Sequence, residues 1–365
     1  MVKSKITTRW GILATGGIAR MFAKDLLLDS STRGVHDIVH EIAAVGSSTS
    51  VESAQRFTQD IGAPPGTKCY GTYEELAKDP NVDVIYVASP HSHHYRNVKM
   101  CLEVGKNVLC EKPFTINAKQ AEALAKLARD KKKFLMEATW IRFFPLTMKL
   151  QELIQAGDIG KVQRIFADHG RELIDENTPN SSRFVDKNLG AGGFLDLGLY
   201  SLTWAFLPLY HWKPKAEQES PTVTGSMILN KQYGFDDHST AVLTWKDAVA
   251  VATSSVTSTS DRIEDGAVGP ATKIIGTKGT ITIPSPSYRP VEFTLHRDKT
   301  VTKFRFPIPG HGMFWEADSV ARCLTKGDLE NEIMPLAETI EVMKVMDKMR
   351  EIGGLEYPAN IEAAD

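Results

Sequence analysis

Three groups of residues in this 365-residue chain have types and spacings that do chemistry. Near the start, Gly11-Ile12-Leu13-Ala14-Thr15-Gly16-Gly17-Ile18-Ala19 joins an apolar run to a stretch of helical periodicity. In a dinucleotide-binding turn one glycine permits the bend, a second lets backbone approach the pyrophosphate, and a third small residue allows close helix–strand packing. Gly16 suits the second role and Ala19 the third. Ala14 stands where the first glycine is usual, and it serves only if its φ is negative. The helix opening after Gly17 offers N–H donors and a positive dipole end, which makes Thr15, Gly16, Gly17 and Ile18 the candidate phosphate cradle. The same turn also occurs with no ligand, so its place at the first strand of a βαβ unit matters. The second group, Cys110-Glu111-Lys112-Pro113-Phe114, ends another apolar run. A lysine there points at the crevice where parallel sheets bind ligands, and the proline restricts the backbone beside it. It reads equally as a surface lysine with a structural proline. In the third, a glycine run from Gly190 to Gly193 opens a helix on which Asp196 and Tyr200 stand four apart, on one face. Its plain reading is a helix cap and a buried tyrosine.

The end of the second apolar run selects the cofactor. An NAD site wants a carboxylate there for the ribose 2′-hydroxyl. This chain has Gly46-Ser47-Ser48-Thr49-Ser50, with no carboxylate before Glu52. Hydroxyls at Ser47 and Ser48 donate to a 2′-phosphate that a carboxylate would repel, so NADP is favoured over NAD. Arg56 and Arg33 are the arginines within reach, Arg33 reading as an ordinary surface residue. His91, His93 and His94 bring no cysteine or carboxylate with metal-ligand spacing, so no metal is expected. Lys131-Lys132-Lys133 reads as a solvated helix end, and Met343, Met346 and Met349 as core.

These groups need a scaffold. Up to about residue 145, apolar strands at Trp10–Ala14, Ile42–Val45, Val82–Ala88, Asn107–Cys110 and Phe134–Met136 alternate with helical stretches. Continuous rather than alternating apolar strands imply a parallel sheet covered on both faces. From 146 to 365 the texture changes. Strands at 162–168, 223–229, 239–245, 249–255, 273–275, 280–283, 292–295 and 302–306 follow one another through short turns, implying a large, open, mostly antiparallel sheet. Helices are expected at 197–207, 314–324 and 335–349, the last of which either stays with this sheet or packs back on the first domain. The fold class is α/β, a Rossmann dinucleotide-binding domain (1–145) followed by an α+β domain (146–365).

Forty-three basic against 45 acidic residues leave a net charge of −2, which gives no basic footprint for nucleic acid and no polybasic membrane anchor. No run of about 18 apolar residues spans a membrane. Four scattered cysteines suit a reducing compartment, and with no signal-peptide pattern a cytoplasmic setting is expected.

Trp10-Gly11-Ile12-Leu13, Thr15-Gly16-Gly17-Ile18-Ala19, Ser89-Pro90-His91-Ser92-His93-His94, Glu111-Lys112-Pro113, Asp196-Leu197-Gly198-Leu199-Tyr200 and Glu316-Ala317-Asp318, in this order, resemble the Gfo/Idh/MocA oxidoreductase family across nearly the whole chain. Met136-Glu137-Ala138-Thr139-Trp140-Ile141-Arg142-Phe143-Phe144-Pro145 resembles its branch of dimeric dihydrodiol dehydrogenases and NADP-dependent D-xylose 1-dehydrogenases, and Ala14 is similar to the fungal xylose enzymes. The resemblance implies that Lys112 touches the nicotinamide ribose and the substrate hydroxyl, Tyr200 is the general acid/base, and Asp196 orients the substrate. A nearby ammonium and a cationic nicotinamide lower a phenol from its usual pKa of about 10. In the oxidative direction Tyr200 takes the C1 hydroxyl proton of an aldose, D-xylose first, and hydride passes to the nicotinamide to leave a lactone. Pro90, His91 and Glu111 border the cofactor, while His94 is structural. Trp140, Phe143, Arg142 and Arg183 are the substrate-side candidates, and Phe144 is core. The broad sheet implies a homodimer. A trans-dihydrodiol dehydrogenase would use the same tyrosine and lysine. A non-catalytic NAD(P)-sensing regulator on this fold is expected to lack both, and the chain has both.

Overall fold

The computed structural model describes residues 5–260 and 269–364. The chain forms two compact units, residues up to Phe143 with Ile308–Ile340, and Phe144–Pro307 with Glu341–Ala363.

In the first unit the apolar runs become β1 (Ile6–Leu13), β2 (Ile38–Gly46), β3 (Lys68–Tyr70), β4 (Val84–Val87), β5 (Asn107–Glu111) and β6 (Leu135–Ala138). Between them lie α1 (Gly17–Leu26), α2 (Val51–Ile61), α3 (Tyr73–Lys78), α4 (His94–Glu103) and α5 (Ala118–Lys131). The strands pair in parallel in the order β3-β2-β1-β4-β5-β6, so the winding reverses between β1 and β4. Ligands bind such sheets beyond the carboxyl ends of the strands at this reversal. Both faces are covered, as neighbouring β1 residues show: Trp10 meets Phe22 of α1 edge-on at 5.1 Å, while a Cβ on Gly11 would come within 2.9 Å of Val82 and 3.2 Å of Leu76 on the opposite side. Four helix starts carry side-chain caps: Ser50 accepts from Ser53, Thr72 from Glu75 and Asn117 from Gln120, and Asp29 opens a short 3₁₀ turn. Strand β3 is an addition to the expected strands; three residues at a sheet edge, headed by a lysine, carry no apolar run.

The second unit begins with α6 (Pro145–Gln155) and builds an eight-stranded sheet from β7 (Val162–Gly170), β8 (Thr222–Leu229), β9 (Asp236–Trp245), β10 (Ala248–Ser255), β11 (Thr272–Gly276), β12 (Gly279–Ile283), β13 (Glu292–Arg297) and β14 (Thr300–Arg305), in the order β14-β13-β12-β11-β7-β10-β9-β8. All eight expected strands are present. The neighbours are antiparallel except β7 and β10, which run parallel, because the chain crosses the sheet between them instead of forming a hairpin. Helix α7 (Leu199–Phe206) covers β7 and β10. One face stays open: Phe166, between buried Ile165 and Ala167 on β7, is 44% exposed.

The chain ends with α8 (Phe314–Lys326), α9 (Leu336–Gly353) and α10 (Ala359–Glu362). The sequence division into 1–145 and 146–365 needs a correction here. Residues 308–340 group with the first unit, α8 packing on α1 and β1, while α10 groups with the second. Asp25 of α1 holds this return by accepting N–H bonds from His311 at 2.9 Å and from Gly312 and Met313 at 2.8 Å. Among the described residues no helix is long and apolar enough to cross a membrane.

Candidate functional site

In the first unit, every cofactor candidate of the sequence lies at the carboxyl end of a strand. Thr15 to Ile18 follow β1, Ser47 and Ser48 follow β2, Pro90 and His91 follow β4, and Glu111 and Lys112 close β5. Gly16 and Gly17 are exposed, and a Cβ on either would meet nothing within 4 Å, leaving room for a ligand against the backbone. No side chain caps α1, so its first N–H groups remain available to an anion. Ala14 corrects an expectation. Its φ is +92°, not negative, although its N–H still bonds the Gly46 carbonyl at 3.1 Å. The tight turn therefore keeps the left-handed backbone usual for glycine there, and alanine bears the strain.

The β2 loop divides its hydroxyls. Ser47 is buried and shares a 2.9 Å hydrogen bond with Thr49, and Ser50 is spent capping α2; Ser48 and Thr49 are exposed. No carboxylate lines this loop, so the residues present fit a nucleotide bearing a 2′-phosphate. Arg56 is exposed on α2. Arg33 is no surface residue: its side chain is 1% exposed, forks onto Asp318 at 2.8 and 2.9 Å and lies over Phe314. Burial with a carboxylate removes it from the phosphate candidates.

At β5 the Lys112–Pro113 bond is cis. Glu111 turns its carboxylate inward, accepting from the Tyr86 hydroxyl and, at 3.1 Å, from the Lys112 N–H. It thus helps build the loop that presents Lys112. His94 is structural as expected, each ring nitrogen 2.8 Å from a carbonyl oxygen, of Pro113 and of Ser89. Burial lowers its pKa to about 4, against the pull of those carbonyls. His91 is buried in a 3₁₀ turn, its ring 5.9 Å from that of His94.

Among the substrate-side candidates, Trp140, Phe143 and Phe144 are all buried. Arg142 requires a correction. It is 1% exposed, donates to the Ile333 carbonyl at 3.0 Å and pairs with buried Glu338, so its guanidinium is consumed within the first unit. A buried guanidinium without such a partner would be too costly, a constraint that sequence spacing does not reveal.

In the second unit the glycine run leads into a π-helical turn, Phe194–Gly198, which passes into α7 and carries Asp196 before Tyr200. The sequence predicts a regular α-helix here; the wider turn is a form that often marks functional sites. Asp236, fully buried, anchors it, accepting from the Phe194 N–H at 2.7 Å and from Ser239 at 2.5 Å. Burial raises the Asp236 pKa to about 6. Gly192, with φ +149°, is required: a Cβ there would lie 2.7 Å from Asp236 Oδ1. Tyr357 adds a hydrogen bond to the Ala191 carbonyl at 2.8 Å. Asp196 is reached by Arg183 at 3.9 Å, so the structure brings these two candidates together. Tyr200 is 5% exposed and packs in an aromatic group, 5.2 Å from His169 and 5.9 Å from Tyr288, with Arg171 over the Tyr288 ring at 5.2 Å. Sequence reasoning missed His169, Tyr288 and Asp236. They stand in no motif: His169 comes from the end of β7, Asp236 from the start of β9 and Tyr288 from the segment between β12 and β13, and only the tertiary fold brings them to the π turn and α7. Among the described residues, no cluster of three or more His, Cys, Asp or Glu could hold a metal ion.

Comparison with known proteins agrees with this arrangement. Residues 8–139 match the Gfo/Idh/MocA model described as an oxidoreductase family with NAD-binding Rossmann fold, and residues 147–282 match the family's C-terminal domain. The chain is 44% identical to the D-xylose 1-dehydrogenase (NADP(+)) of Hypocrea jecorina, over 96% of this chain and 93% of that one. It is 35% identical to the trans-1,2-dihydrobenzene-1,2-diol dehydrogenase of Xenopus tropicalis, over 97% and 100%, and 32% identical to the human enzyme of that name, over 96% and 98%. In fold it is similar to the aldose-aldose oxidoreductase of Caulobacter crescentus, with a TM-score of 0.78 at 20% identity over 95% of this chain and 98% of that one. A strand-end nucleotide cradle followed by an open-sheet domain, matched along both units, makes this chain a member of the Gfo/Idh/MocA oxidoreductase family.

Proposed function

We propose that this oxidoreductase uses NADP to oxidise an aldose at C1, D-xylose foremost, to the lactone. The observation that carries the reading is the 44% identity, over nearly all of both chains, to an enzyme named D-xylose 1-dehydrogenase (NADP(+)). The β2 loop supports the cofactor half, offering the Ser48 and Thr49 hydroxyls and no carboxylate. Thr15 to Ile18 and the start of α1 would hold the pyrophosphate. When bound, NADP⁺ supplies the acceptor for the hydride of C1.

The chain's own residues supply proton handling and orientation. Tyr200 removes the C1 hydroxyl proton as general base. The Lys112 ammonium is the proposed partner of the sugar hydroxyl. Asp196, reached by Arg183, orients the sugar hydroxyls. Two carboxylates or a metal are not needed for this proton transfer, since one phenol serves.

A second reading, oxidation of aromatic trans-dihydrodiols, draws support from relatives of that name at 31–36% identity. Steady-state rates with D-xylose, D-glucose and benzene dihydrodiol, each with NADP⁺ and NAD⁺, test both. D-Xylose with NADP⁺ is expected to give the highest kcat/KM. A higher value for the diol would replace the first reading with the second, and no turnover with any pair would favour a cofactor-sensing role. The open face around Phe166 supports a homodimer as the working assembly.

A further inference from the structure

In the first unit, buried ionisable groups converge on the short segment Lys112–Phe114. Three successive residues each have a backbone polar group held by a buried side chain. Glu111 accepts the Lys112 N–H at 3.1 Å, a ring nitrogen of His94 lies 2.8 Å from the Pro113 carbonyl, and Glu137 accepts the Phe114 N–H at 3.1 Å. Glu137 lies on β6 opposite Cys110, is 1% exposed, and gives its other oxygen to the Thr339 hydroxyl at 3.0 Å. Burying a carboxylate inside a sheet costs several kcal/mol. The carboxylate answers two donors, the Thr339 hydroxyl and the backbone N–H of Phe114, with the Arg142 guanidinium acting on it as well, and the second of these donors lies two residues beyond Lys112.

We propose that Glu137 is a positioning residue for Lys112: with His94 it clamps the Pro113–Phe114 backbone and so sets where the Lys112 ammonium is presented. The inference rests on the reading of Lys112 as part of the reaction machinery. A lysine side chain has four rotatable bonds, so moving its backbone origin moves the volume its ammonium can reach. A displacement of about 1 Å in a group that orients substrate costs of order 100-fold in rate.

The function lies in the reach of Glu137, not in its charge. Arg142 from the following 3₁₀ turn, Glu338 from α9, Glu316 from α8 and Cys110 from β5 face or surround it. Burial, opposed by Thr339, Arg142 and Phe114, raises its pKa to about 7, so both forms are populated at neutral pH. A carboxyl oxygen accepts the Phe114 N–H in either form.

Glu137→Gln, Glu137→Asp, His94→Phe and Lys112→Met separate the possibilities, with thermal unfolding to establish folding and NADPH fluorescence titration to read cofactor affinity. Glu137→Gln keeps the reach and should retain kcat within about threefold. Glu137→Asp keeps the charge but retracts the acceptor, and should lower kcat about tenfold or more, with KM and the NADPH Kd within about twofold. His94→Phe should show the same split should the aspartate variant fail to fold. An aspartate variant that outperforms the glutamine variant, or full turnover in all three variants while Lys112→Met is inactive, overturns the proposal. Full turnover in Lys112→Met instead removes the reading beneath it.

Discussion

Ala14 and Tyr200 mark two ways a single residue carries the site. At φ +92°, Ala14 holds a conformation that costs an L-residue roughly 1–2 kcal/mol, next to the cofactor cradle. Ala14→Gly should therefore raise stability by up to about 1 kcal/mol, the gain being reduced by the greater freedom of glycine in the unfolded chain, with NADPH affinity unchanged. Chemical denaturation checks the first part and fluorescence titration the second. Tyr200 is the proposed base, and a phenylalanine keeps its ring packing against His169 and Tyr288. Tyr200→Phe is expected to lower kcat by about 10²–10⁴ while leaving NADPH binding within experimental error. Retained turnover would take the phenol out of the mechanism.

The element that carries Asp196 and Tyr200 is held by a buried acid, and its stability has a pH dependence with a definite sign. The Asp236 pKa is raised by burial to about 6 in the folded protein, against an ordinary value of 3.8. Folding thus favours the protonated form. Its contribution is complete below about pH 4 and is lost as pH rises through about 6. Asp236→Asn keeps an acceptor for the Phe194 N–H and cannot ionise, so its stability relative to the native chain should improve by roughly 1–3 kcal/mol between pH 4 and 7. Urea melts across that range measure it. The π turn that Asp236 anchors is invisible in the periodicity of Phe194–Tyr200, because a π turn and an α turn bury the same apolar residues when both faces are covered.

Across the whole molecule, the register of the eight-stranded sheet sorts side chains into two faces. Phe166 pairs with Val251 on one side and Lys273 on the other, and all three are at least partly exposed. Apolar residues on an open sheet face are ready for a self-complementary contact. Phe166→Glu would put a carboxylate in place of the apolar ring at such a contact. It should shift the proposed dimer to monomer in light scattering while leaving each chain folded. A variant that keeps the native mass would place any self-association elsewhere.

Much of this protein was legible in its sequence because the information is local. Apolar runs, the Gly16-Gly17 turn and the Lys112-Pro113 step depend on neighbours within a few residues, so the parallel and antiparallel textures and most strand-end candidates could be read directly. What only the tertiary structure decided depends on partners far along the chain. Arg142 is consumed by Glu338 and Arg33 by Asp318; Asp236 anchors the glycine run, and Glu137 answers the Phe114 N–H. Residues 308–340 group with the first unit, where Asp25 binds the backbone of His311 to Met313 and α8 packs on α1 and β1. A charged side chain announces itself in a sequence, but whether it faces water, a ligand or a distant countercharge is set by burial, and burial belongs to the folded chain.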